Sequence, residues 1–99
     1  MSRVLFSISY HIKPELRDHY LTLIRQLKEH VIQARKKNYT VFEVKGKLNH
    51  FREVFTLESM EEFDALDDNQ DERTEDLVSK VEECVDDDGM KYQTLVETV

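Results

Sequence analysis

The order of elements along these 99 residues constrains the fold most: a strand, a long helix, two strands joined by a tight turn, a second helical region and a closing strand. A β-α-β-β-α-β order folds as a four-stranded antiparallel sheet with both helical regions on one face, because each helix must lay its apolar stripe against the sheet. Such a layout hosts many unrelated activities, so function has to be argued from individual side chains.

The local signals are these. Val4, Phe6, Ile8, Tyr10 and Ile12 alternate with Leu5, Ser7, Ser9 and His11, which predicts a strand over 4–12. Pro14 suits a first helical turn. Leu16, Tyr20, Leu23, Ile24, Leu27, Val31 and Ala34 then recur at three- and four-residue spacing, which predicts a helix to about Arg35. The basic run Arg35-Lys36-Lys37 falls where the helix dipole favours positive charge, and Asn38 is the expected left-handed cap. The run therefore reads as capping rather than as an anion site. Residues 39–45 and 51–58 are β-rich and flank Gly46-Lys47-Leu48-Asn49, a hairpin. Ser59 with Glu62 forms a capping box ahead of Phe63 and Leu66. The acidic stretch 67–71 has no apolar anchor and predicts a break. Asn69 with Glu72 is expected to cap a fresh helix burying Leu77, Val78, Val81 and Val85. Asp86-Asp87-Asp88-Gly89 ends that helix, and Met90–Val99 closes the sheet. The expectation is an α+β, ferredoxin-like fold with residues 1–99 as a single domain.

Composition removes several function classes. Lys and Arg total 14 against 21 Asp and Glu, and the net charge of -7 repels phosphate backbones and anionic lipid. Neither nucleic acid nor a membrane is an expected partner. No apolar run reaches the roughly 18 residues of a membrane span, and Met1-Ser2-Arg3 leads straight into a strand, so a cytoplasmic protein is expected. The single cysteine, Cys84, cannot form an internal disulfide, and Glu82, Glu83 and Asp86 disfavour its thiolate. No glycine-rich phosphate loop or nucleophile elbow is present. A calcium loop begun at Asp86 fails, with Met90 at its fifth position and Lys91 where glycine is required.

Two helices on one face leave the other uncovered. Leu5, one set of Val41, Val44 and Val54, and Leu95 or Val96 would stay open in a monomer, and a homodimer packing sheet on sheet about a two-fold axis would close that surface.

Ile12-Lys13-Pro14-Glu15-Leu16-Arg17-Asp18-His19-Tyr20, after a short strand, resembles the strand-to-helix entry of the dimeric α+β-barrel superfamily. Phe51 to Phe63 likewise resembles the third strand and second helix of antibiotic-biosynthesis-monooxygenase-like proteins. The resemblance spans essentially the whole chain and implies a dimeric α+β barrel. It also implies a group that includes cofactor-free quinone-forming oxygenases, haem-degrading enzymes, lactone isomerases and members without an assigned activity. The haem-degrading pattern needs a tryptophan and a histidine on the second helix. This chain has no tryptophan, and the corresponding positions fall on Leu66 and about Asp76, so no haem and no other cofactor is expected.

Among residues able to do chemistry, Glu53 stands out because alternation places it between Phe51 and Phe55, with Leu57 beyond, on an apolar face. A carboxylate there has a raised pKa and suits a general base toward a phenol or carbon acid; the competing reading turns it to solvent or into an ion pair. Antiparallel pairing brings His11 and His50 to one sheet edge beside Tyr10, a second candidate proton-transfer group. Their spacing matches no metal motif, and no metal is expected. His19 and His30, about three turns apart on the first helix, read as surface residues. Two functions fit: a dimeric scaffold binding a small apolar or aromatic ligand, or a cofactor-free monooxygenase-like or isomerase-like enzyme using Glu53 or His11.

Overall fold

The computed structural model describes residues 2–66 and 71–99. In chain order it contains β1 (Val4–His11), a single 3-10 turn (Pro14–Leu16), α1 (Arg17–Gln33), β2 (Asn38–Glu43), β3 (His50–Leu57), α2 (Met60–Asp64), α3 (Glu72–Cys84) and β4 (Lys91–Val96). The strands form one antiparallel sheet in the order β2-β3-β1-β4. With β1 and β3 central, this is the ferredoxin-like α+β arrangement that the element order predicts. No described helix is long and apolar enough to cross a membrane.

Register assigns the faces. Val4, Phe6, Ile8 and Tyr10 of β1 pair with Leu57, Phe55, Glu53 and Phe51 of β3, so these residues share one side of the pleat. Tyr39, Val41 and Glu43 of β2 join them through their pairing with Phe55, Glu53 and Phe51. The stripe of α1, namely Tyr20, Leu23, Ile24, Leu27 and Val31, and that of α3, Leu77, Val81 and Cys84, are buried in the same core. Val85 lies just past α3 and is held by a bridge to Ile12 rather than by helical packing.

Several local devices differ from expectation. Helical geometry beyond Pro14 begins as a 3-10 turn, and α1 proper starts at Arg17. The left-handed residue after α1 is Lys36, with φ of 57°, whereas Asn38 is already the first residue of β2. The chain needs its reversal two residues earlier because Lys37 N–H closes onto the Val31 carbonyl at 3.3 Å. The cap of α3 is Asp71, whose carboxylate accepts the Thr74 N–H at 2.7 Å; Asn69 lies outside the described residues. The Ser59 cap is as read, accepting from Glu62 N–H at 3.2 Å while the Glu62 carboxylate reaches the Glu58 N–H. The hairpin reverses through Gly46 and Asn49, both at positive φ.

Two polar ties hold α1 in place, one to the sheet and one to α3. Arg17 grips the Glu43 carboxylate with both terminal nitrogens, at 2.6 and 2.8 Å, and also donates to Asn49 Oδ1. Its guanidinium lies over Phe51, so the start of α1 is pinned to the β2–β3 hairpin. At the other end His30 Nε2 meets the Asp71 carboxylate at 2.8 Å, clamping late α1 to the start of α3. His30 is thus a structural clamp rather than a free surface residue. His19 is exposed.

Candidate functional site

Glu53 sits in the middle of β3 and is only 5% exposed. Its Oε1 accepts a hydrogen bond from the Tyr39 hydroxyl at 2.5 Å. Two more phenols close the cluster: Tyr10, one register step away on β1, and Tyr20 of α1, whose hydroxyls lie 2.7 Å apart. Burial pushes the Glu53 carboxyl above its ordinary range, while the hydroxyls of Tyr39 and Tyr10 act in the opposite direction by favouring the charged form. Burial, reinforced by the nearby Glu53 charge, pushes the phenols of Tyr10 and Tyr39 far up, so both stay protonated donors at any physiological pH. No cation pairs with Glu53 in the described structure. It is a carboxyl held among phenols, with elevated basicity.

A cavity of about 270 Å³ opens between the sheet and the helices on this side of Glu53. Phe6, Ile8, Phe55 and Tyr39 form its sheet wall, and Leu27, Val31, Leu66 and Val78 its helical wall. Tyr92 of β4, largely exposed, stacks on Phe6 with a ring separation of 6.1 Å, and Phe63 meets Phe6 edge-on at 5.5 Å. Two further polar side chains line the space, Arg35 and Thr74. The cavity is apolar and aromatic with a few fixed polar groups, the composition of a small-molecule site.

The four residues singled out in the sequence fall into two places. Glu53 and Tyr10 share the helix-covered face; Glu53 lines the cavity, and Tyr10 is buried in the core beside it. His11 and His50 are register partners on the opposite face, at the end of β1 and the beginning of β3. Their rings touch, with His50 Nδ1 and His11 Nε2 3.0 Å apart. Burial and the positive charges around it, the neighbouring His11 first among them, hold the His50 pKa below its usual value. Adjacent in sequence, Tyr10 and His11 project to opposite sides of the pleat, so His11 does not serve the chemistry of Glu53. His11 also offers a donor atom within 4.8 Å of carboxylate oxygens from Asp86 and Asp88, the group among the described residues whose atoms are near enough to share an ion.

Tyr39, Tyr20, Thr74 and Arg35 escape the sequence reading. Tyr20 is visible there only as part of the α1 stripe, Arg35 only as a cap, and Tyr39 as one β-former among several. The signal that could have found Tyr39 is in-phase alternation of β2 against β3, which requires knowing the register.

No family model matches the sequence, and no curated protein is significantly similar to it. Solved structures do match in shape. A conserved protein from Methanosarcina mazei Go1 superposes with a TM-score of 0.83 at 13% identity, covering 99% of this chain and 95% of that one. A structure described as antibiotic biosynthesis monooxygenase gives 0.72 at 21% identity, with 100% and 98% covered. SnoaB, a cofactor-independent oxygenase from Streptomyces nogalater, gives 0.71 at 8% identity, with 94% and 90% covered. At these identities the likeness speaks for architecture alone: the chain shares the ferredoxin-like α+β fold of these proteins.

Proposed function

We propose that this chain binds a small aromatic molecule in the cavity beneath α1 and α3, with Glu53 as the proton acceptor at its sheet wall. The observation that carries the reading is the coincidence of a buried carboxyl of raised pKa with an aromatic-lined space of about 270 Å³. The ligand carries a flat aromatic surface, since Phe6, Phe55 and Tyr92 present ring surfaces to it. Its ionisable O–H or C–H points at Glu53, the one acidic side chain among the described lining residues.

A catalytic reading follows from the same geometry and is favoured by the likeness in fold to SnoaB, a cofactor-independent oxygenase. The Glu53 carboxylate takes a proton from a phenol or an activated carbon acid. The ligand becomes a delocalised anion, stabilised by the protonated phenol of Tyr39, which lines the cavity. Reprotonation at another carbon completes an isomerisation; electron transfer from the anion to dioxygen begins a monooxygenation.

The same protein is proposed to work as a cytoplasmic homodimer. Leu5 and Leu95 are register partners on the open face and are 39% and 49% exposed. Val54 and the exposed Phe42 extend that surface, whereas Val41 and Val96 turn to the helix side through their pairing with Glu53 and Val4. A second copy laid face to face covers this patch by isologous contacts.

Fluorescence titration with 2-naphthol tests the binding reading. Saturable binding is expected, and its loss in Val78→Trp, which fills the cavity. Absence of saturation, or undiminished binding in the filled variant, would overturn it.

A further inference from the structure

The cavity has a second polar end that neither the sheet carboxyl nor the fold requires. Thr74, in the first turn of α3, is 3% exposed, lines the cavity, and its Oγ1 has no hydrogen-bond partner among the described residues. A buried hydroxyl without a partner is left with its desolvation uncompensated. Such an atom facing a cavity marks where a ligand supplies the missing bond. The Asp71 carboxylate accepts from the Thr74 backbone N–H at 2.7 Å and meets His30 Nε2 at 2.8 Å.

Arg35 lines the same cavity. It follows the C-cap of α1, and the His30–Asp71 clamp places the end of α1 against the start of α3. Its Nη2 donates to the Leu66 carbonyl at 2.5 Å, which fixes the guanidinium over the cavity and leaves its other N–H groups to point elsewhere. The left-handed turn at Lys36 reverses the chain directly after Arg35, so Lys36 is exposed while Arg35 is partly buried. Among the described lining residues the only two charged side chains are therefore opposite in sign, Glu53 on the sheet and Arg35 on the helix side.

Resting on the cavity reading above, we propose that the ligand is an aromatic carboxylate, its anionic group bound by Arg35 and Thr74 and its acidic proton presented to Glu53. Arg35 and Thr74 both donate, and a carboxylate accepts from both at once. Glu53 repels that group from the opposite end, so the two charges set one orientation. The volume suits one or two fused rings.

The test compares 6-hydroxy-2-naphthoate with 2-naphthol by fluorescence titration of the wild-type protein and of Arg35→Gln, Thr74→Val, Thr74→Ser and the exposed control Lys36→Gln. The wild type is expected to prefer the hydroxynaphthoate by about tenfold or more. Arg35→Gln brings the two probes to near parity, Thr74→Val lowers the preference several-fold, and Thr74→Ser and Lys36→Gln retain it. Equal affinity of the wild type for both probes, or a preference that survives Arg35→Gln, overturns the carboxylate end while leaving the cavity reading intact. Failure of the wild type to bind either probe overturns both. Should Thr74→Val not fold, the Arg35→Gln and Thr74→Ser comparison still decides.

Discussion

A glutamate in the middle of a central strand is the costliest residue in this molecule, and the phenols around it make it tolerable. The folded-state pKa of Glu53 is raised, so the folded protein holds its proton to higher pH than the unfolded chain does. That contribution to stability is fully present below the unfolded value near 4.5 and is lost as pH rises through the folded pKa. Glu53→Gln, which cannot ionise, is expected to melt above the wild type at pH 8, with the gap closing as pH falls toward 4.5; a pH series of thermal melts checks this, and a Gln variant that is less stable at pH 8 contradicts it. Tyr39→Phe removes the 2.5 Å donor and should cost about 1–3 kcal/mol in urea denaturation while raising the Glu53 pKa further. The face of Glu53 was legible from Phe51, Phe55 and Leu57 alone. Its partners were not, because Tyr39 arrives by inter-strand register and Tyr20 by helix packing.

Elements here are held by polar ties at their ends as much as by their stripes. The Arg17–Glu43 pair depresses the Glu43 carboxyl to about 2, chiefly through the Arg17 hydrogen bonds with help from the Asn49 N–H. A depressed carboxyl contributes stability above its unfolded pKa and loses it as pH falls toward 2. Glu43→Gln should therefore destabilise at pH 7 and make no difference near pH 2, as read by melting temperature. Asp71→Ala removes both the α3 cap and the His30 clamp, and a loss of about 1 kcal/mol from the cap alone is expected in chemical denaturation. Capping chemistry was readable where it is strictly local, as at Ser59 and Glu62. It was misread around 36–38, where a lysine rather than Asn38 takes the left-handed position, because the length of the connection to β2 decides which residue must turn. That same misreading hid Arg35, a residue assigned to the helix dipole whose side chain reaches the cavity.

At the scale of the whole molecule, two surfaces compete for a role: the cavity under the helices and the open face of the sheet. The element order made both visible, since it states that helices lie on one side only. It could not say that the candidate residues divide between them, with Glu53 and Tyr10 under the helices and His11 and His50 on the other side. Leu5→Lys is expected to convert a dimer into a monomer by native mass spectrometry, and an unaltered dimer mass would place the interface elsewhere. The central claim is that the cavity, not the open face, takes the ligand. Methyl-resolved NMR with 2-naphthol tests it most directly. Shifts confined to Ile8, Leu27, Val31, Leu66 and Val78 are predicted. Shifts centred on Leu5, Val54 and Leu95, with the cavity methyls unmoved, would contradict it.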